Sequence, residues 1–170
     1  MSNTLVQDLI EAGIHFGQRS ASWNPKMGPY IYGKRNGIHI IDIKETVKGL
    51  LLACHFVKET AAEGGKVLLV GTKRSARESV RAVAQRTGMP DVTERWLGGT
   101  LTNFRTIRSR LDRLQELDDL EAKGVVAGWS KKMQARHQLE KSKILKNLEG
   151  LRSLEDLPAA LIVVDPGNEH

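Results

Sequence analysis

Gly71-Thr72-Lys73-Arg74-Ser75 lies where an apolar run gives way to helical periodicity, and it could hold an anion. Free N–H groups at a helix start, joined by two cationic side chains, attract phosphate. The turn lacks the glycines and the spacing of a Walker loop or of G-x-G-x-x-G. A backbone-phosphate contact or a solvated turn therefore ranks above a dedicated nucleotide site. Trp96-Leu97-Gly98-Gly99-Thr100-Leu101-Thr102-Asn103 has the glycines of a ligand loop, but a tight turn needs the same residues. The tight turn is the simpler expectation. Of the histidines, His15, His39, His55, His137 and His170, none sits in H-E-x-x-H. His39, in a strand pattern, and His55, on a helix, read as satisfied structural residues. No G-x-S-x-G elbow is present, and Asp118 and Asp119 are helical neighbours that point apart. Catalysis has almost no support, and neither a metal nor a cofactor is expected.

The basic residues carry the stronger signal. Lys26, Lys34 and Arg35 accompany Trp23, Asn24, Tyr30 and Tyr32. Lys73, Arg74, Arg77 and Arg81 recur at helical spacing. Arg95, Arg105, Arg108, Arg110 and Arg113 decorate the foot of a long helix, and Asn103 is a further polar candidate there. Arginine's planar fork suits phosphate, while Trp, Tyr and Asn can stack on bases or bond riboses. Across the 170 residues, 26 Lys and Arg face 20 Asp and Glu, so an acidic partner is favoured. RNA ranks ahead of DNA, because no DNA-reading helix module is recognisable. The solvated cationic surface is the plain alternative.

Composition bounds the remaining classes. With 40% hydrophobic and 27% charged residues, a core can form and wholesale disorder is excluded. The lone Cys54 cannot make an intrachain disulfide and suits a reducing compartment. It follows an apolar helical face and reads as a core residue. No apolar run is long enough for a bilayer. Met1 to Glu11 lacks a signal-peptide core and carries Asp8 and Glu11, unlike a transit peptide. A soluble, cytoplasmic protein is expected.

Several elements must position these side chains. Tyr30-Ile31-Tyr32 and Ile38-His39-Ile40-Ile41 flank Asn36-Gly37 and predict a hairpin with a basic tip. Asp42-x-x-Glu45 predicts a capping box opening a helix with Val47, Leu50, Leu51, Cys54 and Val57 on one face. Lys66 to Val70 reads as a strand buried on both faces. Ser75-x-x-Glu78 predicts a second capped helix with Val80, Val83 and Ala84 inside, and 92–95 a short strand. That order implies a parallel sheet with crossover helices. Next, 102–123 predicts a long helix with Ile107, Leu111, Leu114, Leu117 and Leu120 in a stripe. A second helix over 130–148 carries Met133, Leu139, Ile144, Leu145 and Leu148. Together they suggest an antiparallel, partly coiled-coil hairpin standing off the sheet. Ala160 to Val164 resumes the sheet, and the chain stops where a further crossover helix would be expected.

Six stretches, in this order, carry a resemblance. They are Leu9-Ile10-Glu11-Ala12-Gly13-Ile14-His15-Phe16-Gly17, Trp23-Asn24-Pro25-Lys26-Met27 with Pro29 to Gly33, and Arg35 to Asp42. Val70 to Arg74, Arg95 to Phe104 and Val163 to His170 complete the series. The chain resembles the small-subunit ribosomal protein S-two family of bacterial or organellar type over essentially its whole length. The resemblance implies an α/β, Rossmann-like (flavodoxin-like) parallel sheet with an inserted antiparallel coiled-coil helical hairpin. Residues 1–104 and 151–170 would form the α/β domain, incomplete at its C-terminal end, with 105–150 as the hairpin. It implies a non-enzymatic role, binding 16S-type small-subunit rRNA between head and body. It also implies neighbouring ribosomal proteins as partners, including protein S-one, and no membrane. Gln18 stands where the family usually has a histidine after His-Phe-Gly. The rival from another class is a Rossmann-like enzyme using a nucleotide or sugar phosphate. A third reading makes the hairpin a protein-interaction arm. The candidate RNA-binding residues are Lys26, Lys34, Arg35, Lys73, Arg74, Arg95, Asn103, Arg105 and Arg108.

Overall fold

The computed structural model describes residues 2–168, with side chains from 6 to 167. Glu169 and His170, which end the last resembling stretch, lie outside the described residues. The chain runs α1 (Ser2–Glu11), β1 (Phe16–Arg19), β2 (Ile31–Arg35), β3 (Ile38–Ile41), α2 (Ile43–Ala62) and β4 (Val67–Val70). It continues through α3 (Arg74–Thr87), β5 (Asp91–Val92), α4 (Phe104–Ala122), α5 (Lys131–Leu148) and β6 (Ala160–Val163). Two compact units, 1–58 and 59–170, divide within α2.

In the first unit β2 and β3 form the expected hairpin, with Lys34 opposite His39 and Arg35 opposite Ile38. Asn36 (φ 50) and Gly37 (φ 76) are both left-handed, as a two-residue turn matched to strand twist requires. A third strand, β1, joins the far side of β3 to give the antiparallel order β1-β3-β2. Its residues, Phe16-Gly17-Gln18-Arg19, have no alternation of apolar and polar side chains, so periodicity does not reveal it. Gly17 allows this approach: a Cβ there would lie 3.0 Å from the His39 carbonyl oxygen. Asp42 starts α2 by accepting the Lys44 N–H at 2.8 Å. Glu45 does not close the expected box but turns to Lys48, 3.8 Å away.

The apolar stripe of α2 is not core. Leu50, Leu51, Leu52 and Phe56 are exposed, and Cys54 is a surface thiol rather than the expected buried residue. Helical spacing says which residues share a face, but it does not supply the cover.

The second unit contains the expected parallel sheet, in the order β5-β4-β6. The central strand β4 is buried at all four residues, as its uninterrupted apolar run requires. β5 is shorter than the expected 92–95 strand and begins one residue earlier. The outer strand β6 leaves Leu161, Ile162 and Val163 exposed. Lys73, not Ser75, occupies the cap of α3, and its side chain makes no cap bond. The Ser75-x-x-Glu78 box therefore does not form, because the helix starts before it. Val80 and Ala84 are buried while Val83 turns outward. Gly71 lets α3 close on the end of β4, since a Cβ would meet Val80 Cγ2 at 2.6 Å.

The leucine stripe of α4 is largely buried. Ile107, Leu111, Leu114 and Leu117 share one apolar cluster with Leu68, Val70 and Val92 of the strands. Ile144 and Leu148 of α5, with Leu151 and Leu154 beyond it, complete that cluster. Met133 and Leu139, expected in the stripe, are more than half exposed. Leu139 is two residues from buried His137, which places it across the helix. The α4–α5 seam is partly ionic: Lys141 reaches both Asp118, at 2.8 Å, and Glu121. Arg113 reaches Glu140 at 3.0 Å.

Candidate nucleic-acid interface

Lys34 and Arg35 end β2 immediately before the left-handed turn, and both are exposed. Their cross-strand neighbours, His39 and Ile38, are not carboxylates, so the tip has cations without local neutralisation. Lys26 lies in the 3-10 turn Pro25–Tyr30 and is likewise exposed. Its backbone N–H donates to Asn24 Oδ1 at 3.0 Å, which leaves the ammonium on its own stem. None of these three cations makes an ion pair among the described residues.

Beside them, Trp23 stacks obliquely on His39, with ring centroids 4.6 Å apart and planes 39° from parallel. His39 is not the satisfied histidine that its strand position suggests: both ring nitrogens are buried with no hydrogen-bond partner among the described residues. His137 shows the same lack, although its Nδ1 lies 3.5 Å from Glu121 Oε1.

The second unit sorts the remaining candidates into two groups. Lys73 Nζ pairs with Asp165 at 2.8 Å, so the proposed anion turn faces a carboxylate. Arg77 donates to the Thr72 carbonyl at 2.8 Å and shares Glu94 with Arg81. Arg108 pairs with Asp112 at 3.2 Å and donates to the Leu154 carbonyl at 3.1 Å, tying α4 to the segment beyond α5. Exposed pairs of this kind are worth about 0–1 kcal/mol, so phosphate could still compete for them. By contrast, Arg74, Arg95 and Arg105 are exposed and make no ion pair among the described residues. Asn103 Oδ1 accepts the Thr106 hydroxyl at 2.8 Å instead of a helix N–H.

The other chemical candidates resolve as structure. Thr100 is buried and its hydroxyl donates to the Leu97 carbonyl at 2.7 Å. Gly99 is left-handed at φ 87, which makes Trp96 to Asn103 the expected tight turn. The Asp118 carboxyl is held below its usual range, first by the hydrogen bond from Lys141 and then by that from Arg152. Asp119 takes a separate bond from Gln115, so the two acids do not converge. Burial pushes the Asp91 carboxyl up, opposed by the Thr93 hydrogen bond and by Arg81. Sequence spacing has no signal for that group, which faces a polar cleft with Lys146 and Glu149.

The chain is thus a mixed α/β protein with exposed cations at turns and helix starts, several of them unpaired among the described residues. It belongs to the ribosomal protein S2 family, whose sequence profile matches residues 9–170. It is 55% identical over all 170 residues to the small ribosomal subunit protein uS2 of Rhodopirellula baltica, covering 65% of that protein. It is 46% identical over the same 170 residues to uS2 of Geotalea uraniireducens, covering 66% of it. The chain thus spans just under two thirds of the length of these curated relatives.

Proposed function

We propose that the chain is a structural, non-catalytic component of the small ribosomal subunit, docking on its rRNA in the ribosome. The observation that carries this reading is family membership over residues 9–170, with relatives named as small-subunit proteins. Placement between head and body, a cytoplasmic ribosome and a contribution to docking of ribosomal protein S-one follow from the family resemblance. The Rossmann-like description is supported by the parallel β5-β4-β6 sheet with α3 packed on β4. The helical hairpin is supported by α4 and α5 lying against each other.

The RNA-binding residues we assign are, first, the unpaired cations Lys26, Lys34, Arg35, Arg74, Arg95 and Arg105. Lys73 and Arg108 are second, because each already holds an internal carboxylate, and so is Asn103, whose Oδ1 accepts from Thr106 and whose amide nitrogen is the group to donate to phosphate. Replacing Lys34 and Arg35 together by Ala is expected to weaken binding to small-subunit rRNA. The slope of log affinity against log salt should fall by about 0.7–0.9 for each phosphate that the variant no longer neutralises. Filter binding at a series of salt concentrations reads both quantities, and an unchanged slope would remove the hairpin tip from the interface.

A further inference from the structure

The three-stranded sheet of the first unit has, on one side, a cavity of about 390 Å³ that no docking of phosphate explains. Phe16, Gln18, Trp23, Asn24, Met27 and His39 are among its walls. The surfaces are mainly aromatic or apolar, and the lining includes no carboxylate. Phe16 and Met27 are substantially exposed at this site, 61% and 41%. Trp23 and His39, whose rings lie against each other, both line it. Asn24 spends its Oδ1 on the Lys26 N–H, which leaves its amide nitrogen to donate. Gly17 brings β1 onto β3 at the cavity floor.

We propose that this cavity receives one unstacked nucleobase of the bound RNA. The proposal rests on the RNA-docking reading and adds to it a base contact in a place where charge alone is silent. A base ring is flat and has alternating donors and acceptors on its edge. It can lie against Trp23 and Phe16 while its edge meets the side-chain amides of Gln18 and Asn24. The exposed ammonium of Lys26, two residues beyond Asn24, suits the phosphate attached to that base. The same walls could house an aromatic side chain of a protein, but a phenylalanine ring has no polar edge, and tyrosine and tryptophan have one polar group each where a base edge has several donors and acceptors.

The test uses the 170-residue chain with two probes: a short single-stranded oligoadenylate and an abasic oligonucleotide of equal length. Trp23→Ala is expected to weaken oligoadenylate binding about tenfold while leaving the salt slope unchanged. It should not alter abasic binding, and Trp23→Phe should retain most of the affinity. Gln18→Ala, at an exposed position, checks the edge contact without disturbing the fold and is expected to cost a few-fold. An oligonucleotide containing 5-iodouridine should photo-cross-link to Trp23 or Phe16. Equal affinities for both probes with no such cross-link, while wild-type binding persists, would overturn the base pocket and leave the RNA reading standing. Failure of the wild-type chain to bind either probe, or small-subunit rRNA, would overturn both.

Discussion

Gly150→Ala is expected to destabilise the second unit by about 1–3 kcal/mol or more, as overfilling a packed site does. A Cβ at this position would collide with the Asp91 carbonyl oxygen and lie 2.6 Å from Asp91 Oδ1. Asp91 opens β5 and pairs with Leu69 of the central strand, so it cannot retreat without disturbing the parallel ladder. Neither obstacle is the free end of a long side chain. Gly98→Ala is the matched control, because nothing lies within 4 Å of a Cβ there and the backbone is not left-handed. Its effect should stay within about 0.5 kcal/mol. Urea unfolding of both variants measures the difference, and coincident midpoints would contradict the packing described for this corner.

Leu114→Ala is expected to cost about 2–5 kcal/mol, the range for emptying a buried leucine site. Leu114 is 1% exposed and lies in the cluster that joins α4 to β4, β5 and α5. Leu139→Ala on α5 deletes the same atoms from a side chain that is 55% exposed. That change should be close to neutral. The pair separates a buried position from an exposed one in the same helical pair, and equal effects would contradict the burial described for them.

Much of this fold was legible from residues alone. Val67 to Val70 read as a doubly buried strand, and all four are buried. Asn36-Gly37 announced its hairpin because few other residue pairs tolerate two left-handed positions. What stayed hidden depends on distant partners. Phe16 to Arg19 becomes a strand only through pairing with β3. Cys54 and Leu51 share a helical face that lies open to solvent, which periodicity cannot foresee. The candidate site divides in the same way. Cations were visible as a cluster, but the pairing of Lys73 with Asp165 spans 92 positions. The pairing of Arg108 with the Leu154 carbonyl spans 46. The stacking of Trp23 on His39, and with it the cavity, likewise emerges only when β1 and the 3-10 turn meet β3.

Docking of this chain on small-subunit rRNA as a structural protein is the proposed function. Sucrose-gradient sedimentation of a lysate expressing the tagged chain, with and without a high-salt wash, tests it most directly. Co-migration with the small subunit that survives moderate salt is the expected result. The Lys34→Ala/Arg35→Ala chain should wash off at lower salt. A wild-type chain that stays folded and soluble, yet remains at the top of the gradient in low salt, would contradict the claim.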